Sequence, residues 1–227
     1  MTPSDVILRQ PLKGLLQTWG VTQGIEEYQN SMASKQLEKK PEFAYQKHDS
    51  TLNKTIAFRK VQLGEDLRRI HQWMNQPHVI PFWNLGLDLD KMQSHLERAI
   101  ADTHQTLYMG YLDGVPMSYW ESYWTKDDII AKCYKPHPED QGIHLLIGEP
   151  DYLGKGYALP LLKAMTAFQL QHLPTQKIVT EPDIRNQKMI HVFERCGFEF
   201  QREITLPDKQ AALMFCSRDR FMEKWES

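Results

Sequence analysis

Asp151-Tyr152-Leu153-Gly154-Lys155-Gly156-Tyr157-Ala158 is the stretch on which the fold turns. The apolar run before it, Ile143 to Ile147, reads as a buried strand, and Leu159 to Leu170 after it reads as an amphipathic helix. A strand, a glycine turn and a helix start together make an anion site. The glycines let backbone N–H groups approach a phosphate with no side chain in the way, and the helix start adds orphan donors and a positive dipole end. Lys155 is placed to add a cation. The string G-x-x-x-x-G-K-[ST] is absent, which excludes a P-loop. The dinucleotide fingerprint lacks its third glycine, and the loop lies late in the chain. Taken alone, two glycines two apart are equally a tight turn, so the next segment has to decide.

Lys177-Ile178-Val179-Thr180 reads as a second buried strand running into Glu181-Pro182-Asp183-Ile184-Arg185-Asn186. A helix follows over Gln187 to Arg195 and ends at Cys196-Gly197-Phe198, with Gly197 as its left-handed cap. The segment Asn186 to Phe198, with Ile190, Phe193 and Gly197 at the marked positions, resembles the N-x-x-A-I-x-x-Y-x-x-x-G-F signature of the GNAT superfamily of N-acetyltransferases. The glycine loop resembles that family's pyrophosphate loop, Q/R-x-x-G-x-G/A, with Asp151 where Gln or Arg is usual. The resemblance covers roughly Lys54 to Phe221. It implies an α/β (α+β) fold with a mixed central sheet flanked by helices, an acyl-CoA co-substrate (acetyl-CoA by default), no metal, and direct acyl transfer in a ternary complex. It places the coenzyme on Leu146, Ile147, Leu153, Gly154, Lys155, Gly156, Tyr157, Ala158, Asn186 and Phe193. A backbone N–H near Ile147 would polarise the thioester. Phe193 stands where many members carry the tyrosine that protonates the departing thiolate, so that role is vacant or filled otherwise.

The strand Asp140 to Gly148, together with Trp120-Glu121-Ser122-Tyr123 and Pro81-Phe82-Trp83, resembles the siderophore-biosynthesis branch of the same superfamily. That branch acylates the N-hydroxylated end of a diamine or basic amino acid to make the hydroxamate of an iron chelator. Its proposed catalytic histidine and aspartate fall on His144 and Asp183. Trp83, Trp120, Glu121 and Tyr123 fall on the acceptor side. The chemistry is consistent: an N-alkylhydroxylamine is neutral and nucleophilic near neutral pH, and a histidine held by a carboxylate can take its proton. From the residues alone, His144 is equally a hydrogen-bonded core residue, Asp183 a cap for the next helix, Glu121 a solvent-facing side chain, and the tryptophans core. The loop, the Glu181-Pro182-Asp183 turn and the Cys196-Gly197-Phe198 end also resemble aminoglycoside 6′-N-acetyltransferases. A histidine at 144, where a polycationic sugar would favour a carboxylate, argues against that acceptor.

With 227 residues, 41% of them hydrophobic, the chain can bury one good core. A net charge of −2 gives no footing for nucleic acid. Cys133, Cys196 and Cys216 make no metal or redox spacing, and the nine histidines form no H-E-x-x-H. No apolar run reaches membrane length and no signal peptide opens the chain, which predicts a cytoplasmic protein, monomer or homodimer, acting on a small-molecule amine. Residues 1–50 read as an extension, with a strand or helix at Val6 to Trp19, a helix at Ile25 to Leu37 and a linker at Lys39-Lys40-Pro41. Residues 51–227 read as the acyltransferase domain. Its expected order is a strand at Thr55 to Leu63, helices at Glu65 to Met74 and Leu89 to Ala101, and strands at Thr106 to Tyr111 and Val115 to Tyr123 about an Asp113-Gly114 turn. A short strand at Ile129 to Cys133 comes next, then the β–α–β–α segment, and finally a hairpin of Phe198 to Thr205 with Ala211 to Ser217.

Overall fold

A computed structural model describes residues 42–226, so the elements expected within Val6 to Pro41 lie outside the described residues. Eight strands form one sheet: β1 (Tyr45–Asp49), β2 (Lys54–Lys60), β3 (Gln105–Leu112), β4 (Val115–Trp124), β5 (Gln141–Ile147), β6 (Lys177–Thr180), β7 (Glu199–Thr205) and β8 (Gln210–Ser217). Their order is β1-β2-β3-β4-β5-β6-β8-β7. Every pairing is antiparallel except β5 with β6. The helices are α1 (Leu63–Met74), α2 (Ile80–Trp83), α3 (Leu89–Ala101), α4 (Ala158–Gln169), α5 (Gln187–Cys196) and α6 (Arg218–Trp225). This is the expected mixed sheet with flanking helices. Among the described residues no helix is long and apolar enough to cross a membrane.

The two faces of the sheet bury different layers. On one, Leu161, Leu162 and Met165 of α4, Ile190 and Phe193 of α5 and Phe221 of α6 pack on Phe58, Trp120, Ile143, Leu145 and Ile147. On the other, Ile70, Trp73 and Met74 of α1 with Met92 and Leu96 of α3 pack on Ala57, Met109, Tyr119 and Leu146. Side chains alternate across a strand, so β5 sends Ile143, Leu145 and Ile147 to the α4–α5 layer. Its even positions, His144 and Leu146, go to the α1–α3 layer. A buried fork of Arg59 on Asp66, at 3.0 and 2.8 Å, ties α1 to β2.

Local chemistry explains the boundaries. Asp113 and Gly114 both have positive φ, 51° and 78°, as a two-residue hairpin of the primed type demands. Asp88 and Asn186 cap α3 and α5 by accepting from Lys91 and Met189 N–H. Four features differ from the sequence expectation. The short strand at Ile129 to Cys133 is a 3₁₀ turn, Ile129–Lys132, because the Asp128 carboxylate accepts from Ile130 N–H and starts a helical turn. In α3 the apolar spacing of Met92, Leu96 and Ile100 predicts one buried stripe, but the third buried position is Ala99, and Ile100 is exposed. The helices α2 and α6 follow the Pro81 and Ser217 start signals. The sheet also begins earlier than residue 51, since β1 pairs with β2 from Tyr45 to Asp49.

Gly142 lies under the Tyr123 ring, where a Cβ would come within 2.0 Å of Tyr123 Cζ. Gly142→Ala is therefore expected to destabilise the protein by about 1–3 kcal/mol through overpacking. A lowered urea midpoint at unchanged m-value checks it, and an unshifted midpoint refutes the tight contact.

Candidate active site

The parallel pair β5–β6 is short. It holds only Gln141 opposite Ile178 and Gly142 opposite Val179, with one further link from Thr180 Oγ1, which donates to Ile143 O at 3.0 Å. Past Thr180 the chain follows β8 instead: Ala212 N–H donates to Pro182 O and Ile184 N–H donates to Gln210 O, each at 2.9 Å. β5 meanwhile stays on β4 as far as Gly148 N–H, which donates to Met117 O at 2.9 Å. The two strands part, and a wedge opens. In an antiparallel ladder N–H groups point alternately to and from the partner. The Gly148 bond therefore turns residues 144, 146 and 148 toward β4 and the backbone of 143, 145 and 147 toward the wedge. His78 Nε2 lies 2.9 Å from Ile147 O on that side.

At the wedge a cleft of about 300 Å³ opens, lined among others by Trp83, Glu121, His144, Leu145, Glu181 and Asp183. His144 sits between two glutamates. Its Nδ1 is 2.9 Å from Glu121 Oε2, and its Nε2 makes a short hydrogen bond to Glu181 Oε1. Each glutamate is held by a tyrosine from the same face of β4: Tyr119 donates to Glu121 at 2.9 Å and Tyr123 to Glu181 at 2.8 Å. Lys209 Nζ, from the β7–β8 turn, is 3.5 Å from Glu181 Oε1. Burial disfavours the imidazolium, but the Glu181 charge and the Glu121 hydrogen bond outweigh it, and the ring is pushed up to about 10. Burial likewise opposes ionised Glu181, but His144 outweighs it with help from Lys209, and the carboxyl falls to about 2. Glu121 is lowered too, its burial outweighed by the bond from His144.

The sequence-predicted residues are placed as follows. His144, Glu121 and Trp83 meet in the cleft, with the Trp83 ring edge-on to the imidazole at 6.3 Å. Tyr123 stands behind His144, rings 4.9 Å apart, with its hydroxyl committed to Glu181. Asp183 lines the cleft but does not hold His144. Its carboxylate accepts from Arg185 N–H at 2.8 Å and from the guanidinium at 2.9 and 2.6 Å, and this bonding keeps its acidity high. The carboxylate that this turn gives His144 is Glu181, two residues earlier. Trp120 does not wall the acceptor side either. It is fully buried on the opposite face, edge-on to Phe58, with its N–H on Ser118 Oγ. Asn186 lines the cleft while capping α5, and Phe193 lines it against Phe198. Leu146 packs its side chain in the α1–α3 layer, so Leu145 and Ile147 are the β5 residues whose backbone meets the wedge.

The glycine loop has the form an anion needs. Gly154 and Gly156 have φ of 70° and 79°, and a Cβ on either would meet nothing within 4 Å. They are glycines for their conformation, and the space beside them is open. Leu153 and Lys155 are exposed, Tyr157 precedes Ala158 at the start of α4, and that helix start has no side-chain cap. Its first N–H groups are free to meet a phosphate.

The sheet parts at its parallel pair β5–β6, with a glycine loop at the following helix and a histidine between two glutamates in the cleft. Residues 62–206 match the family described as acetyltransferase (GNAT) domain, and the chain belongs to that family of enzymes. It is 32% identical to an N-hydroxyputrescine acetyltransferase of Acinetobacter baumannii, over 80% of this chain and 85% of that one. It is also 32% identical to an N(6)-hydroxylysine O-acetyltransferase of Escherichia coli, over 78% of this chain but only 56% of that longer one. Among solved structures, an uncharacterized protein from Bacillus halodurans is 48% identical with a TM-score of 0.79, over 80% of this chain and 94% of that one. An aminoglycoside acetyltransferase AAC(6′)-Ib in complex with coenzyme A is 28% identical with a TM-score of 0.69, over 76% and 99%.

Two outcomes are expected. Gly156→Val should raise the KM for acetyl-CoA at least tenfold with little change in kcat, because an L side chain is strained at that φ and its bulk meets the anion's approach; an unchanged KM would place the phosphates elsewhere. The second concerns pH. The folded His144 value lies above the ordinary 6.5, so its stabilisation is whole below that pH and drains away as pH rises toward 10. The Glu181 contribution is present above 4.5 and is lost as pH falls toward 2. Wild type should therefore lose stability relative to His144→Gln across the alkaline window, by at most about 1.4 kcal/mol per pH unit. Parallel stability curves from denaturant melts would refute the ion pairing.

Proposed function

We propose that this chain transfers an acyl group, acetyl by default, from coenzyme A to the nitrogen of an N-hydroxylated diamine or basic amino acid, forming a hydroxamate of the siderophore type. The coenzyme supplies an activated thioester. The loop at Leu153 to Ala158 would hold its diphosphate, and the Leu145 and Ile147 N–H groups would face the thioester oxygen in the wedge. Asn186 and Phe193 would border its pantetheine arm. Trp83 and Glu121 would border the acceptor, and His144 would move the proton.

The observation that carries this reading is the imidazole of His144 standing between two glutamates at the mouth of the wedge. It is supported by the names of the relatives, which include enzymes for hydroxylysine and hydroxyputrescine. A second reading, transfer to an aminoglycoside, is favoured by the likeness to AAC(6′)-Ib. The charge arrangement supports the smaller acceptor. Of the four carboxylates lining the cleft, Glu121, Glu181 and Asp183 are already paired with His144, Lys209 or Arg185. Only Asp208 has no partner among the described residues. One free carboxylate suits a single distal ammonium rather than a polycation.

Release of coenzyme A thiol measured with N-hydroxyputrescine, N-hydroxycadaverine, N-hydroxylysine and kanamycin tests the reading. At least one hydroxylamine should exceed kanamycin tenfold or more in kcat/KM, and the reverse order would favour the aminoglycoside reading. His144→Ala should lose about 10²-fold or more in kcat, the scale of removing a proton-transfer group, while retaining coenzyme affinity. Asp183→Ala should lose less than Glu181→Gln, and the opposite ranking would restore the aspartate as the histidine's partner.

A further inference from the structure

The acyl-transfer reading leaves open which way the proton on His144 moves. Both ring nitrogens face carboxylate oxygens, Glu121 on Nδ1 and Glu181 on Nε2. An ionised carboxylate accepts and does not donate, so each nitrogen facing one carries a hydrogen. A ring with two N–H groups has no lone pair with which to take a proton. Phe193, which borders the cleft, has no proton to give. The nearby hydroxyls are committed: Tyr119 to Glu121, Tyr123 to Glu181 and Thr180 to Ile143 O.

Resting on that reading, we propose that His144 enters the reaction as an imidazolium and gives the Nδ1 proton to the departing sulfur, while Glu121 takes the proton lost by the attacking nitrogen and Glu181 holds the ring through Nε2. The step balances. A C–N bond forms and the C–S bond breaks. The nitrogen's proton goes to the Glu121 carboxylate, and the ring proton goes to sulfur and makes the thiol. Protonated Glu121 then returns its proton to Nδ1, and the site is restored with nothing left over.

The two glutamates divide the work because their surroundings differ. Glu181 takes His144 and Lys209 on one oxygen and Tyr123 on the other, and its side chain is 5% exposed. Among the described residues Glu121 takes only His144 and Tyr119 and has no lysine, and it is 14% exposed. Glu121 is thus the more available proton acceptor and Glu181 the fixed anchor. Among the described residues, the other titratable groups facing this cluster are His95 of α3, which acts on Glu121, Asp128, which acts on Tyr123, and Asp183 and Asp208 across the cleft. Burial works against the cation, but the flanking carboxylates dominate and hold the ring near 10, so the acid form persists through neutral pH.

Nitrogen-15 NMR of the imidazole, assigned by the signal lost in His144→Gln, tests this with and without coenzyme A. Both ring nitrogens should remain protonated up to about pH 8. A neutral ring at about pH 7 overturns the proposal whatever the acceptor proves to be, and the measurement needs no acceptor. In turnover, kcat should stay within about twofold from pH 7 to 9 and then fall, as an acid requires; a rise of about tenfold per pH unit over that range marks a base and also overturns it. Glu181→Gln should move the alkaline limb down by about one pH unit or more while coenzyme affinity holds, and an unmoved limb removes Glu181 from the role. Should that variant not fold, the wild-type titration decides. A failed acceptor panel with a protonated ring would strike the proposed substrate and leave the proton assignment standing.

Discussion

The structure depends on one defection in the sheet. β6 abandons β5 after two residue pairs and continues along β8. A buried backbone group without a partner costs about 1–3 kcal/mol, so a sheet does not part at its centre without something to fill the gap. Here Thr180 and His78 satisfy the carbonyls of Ile143 and Ile147. The amides of Leu145 and Ile147 face the wedge. The break is a shortage of hydrogen-bond partners located where the reaction needs donors, and the cleft follows from it.

The cluster around His144 is the second consequence. One imidazolium between two carboxylates carries a net negative charge, which Lys209 offsets at Glu181. Removing one member of such a buried set leaves an uncompensated charge, usually at a cost of about 3–5 kcal/mol. The tyrosines at 119 and 123 come from the same face of β4 as Glu121, because side chains two apart share a face. Gly142 makes room for the second of them. The arrangement is therefore written into the alternation of two neighbouring strands and one glycine, and the loop residues add only Glu181 and Lys209.

Much of this was legible in the sequence, and the parts that were not have definite reasons. The glycine loop and the Asn186 to Phe198 segment carry their geometry locally, through positive φ and a helix cap, so a linear reading finds them. His144 stands out through the resemblance to the siderophore branch, since a histidine within an apolar strand reads equally as a core residue. Trp120 was grouped with Glu121 and Tyr123 by nearness in sequence. The period of a strand puts it on the far face, and the alternation of β4 is enough to show that. The resemblance puts the catalytic carboxylate on Asp183, but the turn offers two carboxylates, and which one reaches β5 depends on where the strand leaves its neighbour. Arg185, two residues on, captures the aspartate. That competition lies within one turn and carries no periodic signal. Lys209 arrives from the β7–β8 turn and could be placed only by tertiary structure.

The same alternation separates the two halves of the proposed reaction. β5, the glycine loop and α4 are one contiguous segment that carries most of the residues assigned to the coenzyme, with Asn186 and Phe193 added from α5, and the segment packs in the α4–α5 layer. The residues assigned to the acceptor come from α2, β4 and the β7–β8 turn, on or beside the α1–α3 layer. His144 belongs to the first set by its backbone and to the second by its side chain, which is the position a proton-transfer group needs. The acceptor wall is already mostly neutralised by its own cations, and that favours an acceptor with little charge of its own.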